Sequence, residues 1–482
     1  MTRSDFEAYG PAYFRAQCWW RDETLNDWLQ RNVARAPDRP ALITTTARLS
    51  YKELNERARR IAAGLAALGV RKGDVVAVRL PNLPEFVLTW LAINSIGAVM
   101  QTLHMAYGKR EVERLLQHSR ARALIVPSFP NDHLPAGELA GIKESVSSLH
   151  HVIGLQKFEG VLPFEALERA EATLDAERPS AVDPFLLLYT SGTTSAPKGV
   201  LVTYNHFLSN ARLAAGEFGL TAEDRILCLA PYTHLYGLYT LQLALAVGAS
   251  ACILPMFTPQ GCIEAIRQTN PTVLFGAPGH IAGCMQERLF DGVDLGSVRL
   301  AVLSGTTVPP ELSAAFEHLL PNGLVAQAWG MTELQFGSCG RLSDPREARF
   351  NSVGRAMPGS ELRVVDVETG RPLSGSIGEL QVRGCSVFSD YLGNPEATAA
   401  SFTADGWFKT GDLAQMDEGG YVRLRGRIKE IINRGGVKYH PGKSKRSSRH
   451  IRPWLRSPSP PFPTRRSANV PRVLSCCSRA RR

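Results

Sequence analysis

The sequence predicts an α/β protein: a large, multi-subdomain N-terminal domain with parallel sheets flanked by helices, plus a smaller β-rich region. Three observations predict it. Short, continuously apolar runs alternate with helical patterns along most of the chain, as expected for strands covered on both faces by crossover helices. From about Gly354 to Asp412 the texture changes to turns and alternation, as in Glu379-Leu-Gln-Val-Arg383. The chain has 482 residues, 44% hydrophobic and 21% charged, enough for a sizeable core and more than one domain. That composition excludes a disordered chain, a collagen, a disulfide-stapled miniprotein and a coiled coil.

Each element has a local reason. Ser50 with Glu53 reads as a capping box. Leu54, Ala58, Ile61, Leu65 and Leu68 then recur at helical spacing until Gly69 stops the helix. Residues 75–78 and 123–126 are β-branched runs suited to buried strands. Further strands are predicted at residues 185–189, 272–275, 299–303 and 324–326. Residues 86–100 are too short to span a membrane and contain Asn94. Residues 235–256 are interrupted by Gln242, Gly248 and Ser250, and read as a buried helix running into a buried strand, so no stable membrane insertion is expected. Residues 1–10 lack the apolar run of a secretory signal, and no internal repeat is visible.

Net charge is +10, from 55 Lys plus Arg and 45 Asp plus Glu. It is unevenly distributed: residues 443–482 hold 12 Lys plus Arg and no acidic residue, leaving 43 basic against 45 acidic residues before them. The basic balance therefore describes a tail, and no nucleic-acid partner is expected. Rich in Pro, Ser and Arg without periodicity, that tail is predicted to be disordered. The nine cysteines, at 18, 228, 252, 262, 284, 339, 385, 476 and 477, form no CxxC pair. They read as small apolar fillers of a reduced, cytoplasmic protein.

The sharpest motif is Phe185-Leu-Leu-Leu-Tyr-Thr-Ser-Gly-Thr-Thr-Ser-Ala-Pro-Lys-Gly-Val200. A buried strand runs into Thr190, Ser191, Gly192, Thr193, Thr194 and Ser195, followed by Lys198. Hydroxyls and glycine-freed N–H groups make a nest for phosphate oxygens, and the lysine adds a point charge. It is not a Walker A loop, because Pro197 precedes Lys198 and Gly199 follows it.

On this string the chain resembles the adenylate-forming (AMP-binding) superfamily, in its acyl- and aryl-CoA synthetase branch, over residues 24–441. The resemblance implies that the loop and Lys198 embrace the ATP β- and γ-phosphates. Where the family has a His directly after the Thr, Thr203 is followed here by Tyr204, with His206 two residues later. Pro231-Tyr-Thr-His-Leu-Tyr-Gly-Leu238 is similar to the family segment that gates the acyl pocket, which places His234 there. Ser304-Gly-Thr-Thr307 is similar to the adenine-binding turn, implicating Gly305 and Thr306.

Gln327-Ala-Trp-Gly-Met-Thr-Glu333 carries three implied roles: Trp329 near adenine or acyl group, Thr332 on the α-phosphate and Glu333 on magnesium. A hydroxyl and a hard carboxylate beside one phosphorus suit a metal-clamped displacement. Trp407-Phe-Lys-Thr-Gly-Asp412 resembles the ribose site, with Asp412 accepting both hydroxyls. Arg427 would pair with ribose or phosphate, Lys429 falls on the hinge, and Gly435 and Gly436 lie in the pantetheine-tunnel loop. The implied acyl pocket comprises His234, Phe275, Gly279, Trp329 and Met331, whose character points to an aryl or alicyclic acid.

The resemblance thus implies residues 1–425 as the large AMP-binding domain, 426–442 as hinge and start of a small C-terminal domain, and 443–482 as tail. After Pro441-Gly442 the family continues for roughly 100 residues and supplies a catalytic lysine, so here the small domain is essentially missing. Restoring one base near codon 442 lets the tail decode as helix, turn and strand, which suggests a frameshift. The expected activity is ATP-dependent activation of a carboxylic acid to an acyl-adenylate, then thioester formation with coenzyme A, impaired in this chain. The alternatives are aryl acid adenylation for a carrier protein, or an inactive nucleotide-binding remnant.

Overall fold

A computed structural model describes residues 10–127, 129, 132–171, 177–190, 198–430, 432–434 and 437–439. The chain divides into Met1–Lys429 and Glu430–Arg482. Within the first unit, and among the described residues, lie sheets of seven, nine and four strands. The α/β class predicted from sequence is the class observed.

The seven-stranded sheet has at its centre the parallel strands Ala123–Val126, Val75–Val78, Val99–Thr102 and Pro184–Thr190. Lys198–Thr203 closes one edge, antiparallel to Pro184–Thr190. The nine-stranded sheet is parallel through Pro40–Ile43, Ser250–Cys252, Arg225–Cys228, Val273–Gly276, Leu300–Leu303 and Leu324–Met331, with antiparallel strands at both edges. Ala123–Val126 and Leu300–Leu303 are buried at every residue, because helices cover both faces. The resulting core joins side chains of both large sheets and of the helices between them.

The local signals act as their chemistry requires. Helix Tyr51–Ala67 starts at the Ser50–Glu53 capping box, and Gly69 beyond its end adopts φ +83°. Residues 86–100 hold the buried helix Pro84–Ser95 and then strand Val99–Thr102; residues 235–256 hold helix Leu235–Val247 and then Ser250–Cys252. No helix among the described residues is long and apolar enough to cross a membrane.

The β-rich region is the antiparallel sheet Ser360–Val365, Gly378–Gly384, Phe408–Met416 and Val422–Arg427. It runs past the expected end at Asp412, because Val422–Arg427 returns to pair with the strand carrying Asp412. Strand Leu324–Met331 is likewise longer than the expected 324–326; it outgrows its parallel neighbour and pairs onward with Gln335–Cys339. In the second unit, Ile432–Arg434 and Val437–Tyr439 form an antiparallel hairpin. Gly435, Gly436 and residues 443–482 lie outside the described residues.

Candidate active site

In the nine-stranded sheet, Gly276, Leu303 and Gln327 stand in register on three adjoining parallel strands. The chain leaves that level at the strands' C-terminal ends, where open α/β sheets carry their ligand crevices. Two residues on, Gly305 lies in the bend after its strand, while Trp329 is still within strand Leu324–Met331. Gly305 takes φ +89°, a left-handed conformation, and a Cβ there would meet open space. Thr306 is exposed beside it.

The phosphate-loop motif is held between paired strands. Thr190 faces Lys198 across the ladder, so the two ends of the motif are fixed together. Ser191, Gly192, Thr193, Thr194 and Ser195 lie outside the described residues. The Lys198 ammonium stands 4.6 Å from the centre of the Tyr391 ring. The Tyr391 hydroxyl donates to Glu333 Oε1 at 2.9 Å. Lys198 and Glu333, 135 residues apart in sequence, therefore meet on one aromatic side chain.

Glu333 follows strand Leu324–Met331 in a turn where Leu334 N–H donates to Met331 O, and its side chain is buried. Burial pushes its carboxyl above the usual range, while the Tyr391 hydroxyl, Arg427 and Lys198 pull it back down. Thr332, next to it, is half-buried. On the same strand Trp329 Nε1 donates to Asp412 Oδ2 at 2.8 Å, and Arg427 Nε pairs with Asp412 Oδ1 at 2.8 Å. Asp412 and Arg427 are cross-strand partners, and Asp412 N–H donates to Thr410 Oγ1. The carboxylate is thereby aimed by backbone and side chain together. Lys429 is exposed in the turn Ile428–Glu430.

His234 belongs to a second group. It caps helix Leu235–Val247, its Nδ1 accepting from Tyr236 N–H at 3.2 Å, and its ring stacks on His104 at 6.0 Å. His104 Nδ1 lies 3.2 Å from Thr233 Oγ1. Burial and the neighbouring His234 push His104 down to about 4, and burial lowers His234 too, so both rings are neutral at pH 7. The Tyr236 hydroxyl donates to Val302 O at 2.8 Å, which ties this helix start to the strand ends below Gly305. Gly279 faces open space at the start of helix Pro278–Gln286, and Met331 is half-buried at its strand end.

Phe275 is not placed as expected. Its side chain is fully buried and packs edge-on against Tyr236 and Phe218. His206 is a buried residue of a helix start, with Nδ1 2.8 Å from Thr203 Oγ1. A cavity of about 390 Å³ opens beside Arg15, Asp22, Asp27, Ser95 and Arg178, and none of the candidate residues lines it. Sequence reasoning missed Tyr391 and His104. Tyr391 stands in Phe388-Ser-Asp-Tyr391 with no charge cluster or glycine signature to mark it. His104 could have been found as a polar residue just past the end of strand Val99–Thr102.

Residues 29–392 match the AMP-binding enzyme family. The chain is 33% identical over 404 residues to 4-coumarate–CoA ligase 4 of Arabidopsis thaliana, covering 82% of this chain and 71% of that protein. It is 29% identical over 437 residues to the medium-chain fatty-acid–CoA ligase of Escherichia coli (strain K12), covering 88% and 76%. Among solved structures it is similar to the anthranilate CoA ligase AuaEII in complex with anthranoyl-AMP. That likeness has a TM-score of 0.80 at 26% identity and covers 88% of this chain and 81% of that one.

Proposed function

The chain belongs to the AMP-binding enzyme family, and on that premise we propose that it is an AMP-forming acid–CoA ligase whose site is the group Lys198, Thr332, Glu333, Trp329, Asp412 and Arg427. The observation that carries this assignment is the convergence of Lys198 with Glu333 on Tyr391, next to Trp329 and Arg427 sharing Asp412.

In the first half-reaction a carboxylate oxygen of the acid attacks the α-phosphorus of ATP. The bond from that phosphorus to the bridging oxygen breaks, and pyrophosphate leaves. In the second, the sulfur of coenzyme A attacks the acyl carbon, a C–S bond forms, AMP leaves and the thiol proton passes to solvent. No enzyme nucleophile is required, so catalysis is positioning and charge stabilisation. Lys198 faces the β- and γ-phosphates, Thr332 donates to the α-phosphate, and Asp412 accepts from the ribose while Trp329 and Arg427 hold it.

The donor set suits magnesium. Glu333 and Thr332 are hard oxygen donors, and no group of three His, Cys, Asp or Glu residues among the described ones forms a closed cage. Magnesium bound by one carboxylate plus nucleotide phosphates and water is its usual arrangement. Glu333 would hold the ion, which would supply charge neutralisation on the leaving pyrophosphate.

The acid belongs to the aryl or medium-chain class, in keeping with the names of the relatives. The test is ATP–pyrophosphate exchange over a panel of aryl, alicyclic and medium-chain acids, followed by thioester detection with coenzyme A. Exchange with one acid class in a frame-restored chain, lowered by orders of magnitude in its Lys198→Ala and Glu333→Ala variants, is the expected result. ATP binding without exchange for any acid in the frame-restored chain would leave a nucleotide-binding protein without ligase activity and overturn the proposal. Acyl transfer to a carrier protein but not to coenzyme A would overturn its second half.

A further inference from the structure

Tyr391 touches both charged groups assigned to the triphosphate, and nothing in those assignments gives it a role. Its side chain is buried, yet the hydroxyl is spent on a buried carboxylate oxygen of Glu333 at 2.9 Å. A phenol has one proton to donate, so it fixes one oxygen of that carboxylate. The face of the same ring holds the Lys198 ammonium at 4.6 Å. A ring face attracts a cation without an acceptor atom to compete for its N–H donors, which stay available to phosphate oxygens.

Tyr391 is itself clamped to both elements it connects. Its backbone bridges Val200, and Leu392 N–H donates to Gly199 O at 2.7 Å, which pins the segment to the strand bearing Lys198. Phe388 N–H donates to Glu333 O at 2.7 Å, which pins it to the turn bearing Glu333. Tyr391 N–H donates to Thr398 Oγ1, and its ring packs on Phe388 at 4.7 Å. A side chain so constrained acts as a spacer of fixed length.

We propose that Tyr391 is a positioning residue that sets the separation of Glu333 and Lys198, so that the carboxylate for the metal and the ammonium for the phosphates meet a triphosphate as one preorganised unit. The proposal rests on the assignment of Lys198 and Glu333 above. The two halves of the side chain act separately: the hydroxyl aims Glu333, and the ring places Lys198.

Two variants of the 482-residue chain separate these halves, with ATP as the probe and calorimetric titration across magnesium concentrations as the readout. Tyr391→Phe keeps the ring and drops the hydroxyl. It should raise the magnesium concentration that half-tightens ATP binding by roughly ten- to hundredfold, the cost of one hydrogen bond to a charged group. Magnesium-free ATP binding should move much less. Tyr391→Leu drops both halves and should weaken magnesium-free binding as well. Thermal melts establish that each variant is folded, and if Tyr391→Leu is not, the phenylalanine variant still decides. A Tyr391→Phe chain with the parent's magnesium response, or one weakened equally with and without magnesium, overturns the proposal. Lys198→Ala and Glu333→Gln run in parallel. If neither alters ATP binding, the site assignment itself fails; if both do and Tyr391→Phe does not, only the role of Tyr391 fails.

Discussion

Replacing Asp412 by Asn changes one oxygen to an amide nitrogen in a site where the neighbours dictate the outcome. Asp412 is 5% exposed; one oxygen accepts from Trp329 Nε1 and the other is ion-paired with Arg427 Nε, both donor-only groups, at 2.8 Å each. An asparagine offers one acceptor and one donor, so either orientation sets a donor against a donor. The indole is buried and has nowhere else to turn, whereas the Arg427 side chain is 56% exposed and water can satisfy it. The amide oxygen therefore settles on Trp329 and the NH2 faces the guanidinium. Stability should fall by only about 1 kcal/mol, because the cation that loses its partner is on the solvent side of the pair. Nucleotide affinity should fall further, because two ribose hydroxyls lose a charged acceptor and compete for one engaged oxygen. Loss of about 2–3 kcal/mol raises the Kd for ATP by roughly 30- to 150-fold. Calorimetric titration with ATP and with 2′,3′-dideoxy-ATP reads it: the parent should discriminate between them and Asp412→Asn should not. A Kd for ATP within threefold of the parent's, or a parent blind to the missing hydroxyls, would refute the ribose assignment.

Two further outcomes follow from buried geometry. Burial pushes His206 from its ordinary 6.5 down to about 4, so the folded state holds it neutral. A folded value below the unfolded one gives stability that is complete above pH 6.5 and lost as pH falls from 6.5 towards 4, by at most about 3 kcal/mol. Denaturant titrations at pH 7, 5.5 and 4.5 should show a shallower loss for His206→Asn than for the parent, and parallel losses would refute the contribution. A Cβ at Gly237 would stand 2.1 Å from Pro231 O and 2.5 Å from its carbonyl carbon, a backbone clash at the helix start that carries His234. Gly237→Ala should cost about 1–3 kcal/mol and alter KM across the acid panel, and an unchanged Tm would show that the turn gives way freely.

How far the sequence could be read differs from one residue to the next. The capping box at Ser50 and Glu53, the stop at Gly69 and the buried strands 75–78 and 123–126 were legible because their causes lie within a few neighbouring residues. Lys198, Glu333 and Asp412 were legible as a set only through their resemblance to a family, since no spacing rule joins residues so far apart. Phe275 marks the complementary limit. An apolar residue at a strand end looks the same in sequence whether it faces a pocket or the core, and only the fold shows it buried against Tyr236 and Phe218.

The chain's own letters thus determined the α/β alternation, the strand that runs into the phosphate-loop motif, and the basic tail, all of which depend on composition or on contacts close in sequence. Only the folded arrangement decided that Tyr391 lies between Lys198 and Glu333, that Trp329 and Arg427 divide one carboxylate, and that His104 backs His234. Those contacts join separate strands, turns and loops. Which side chains meet there is set by strand register and crossover packing, which no local window of sequence contains.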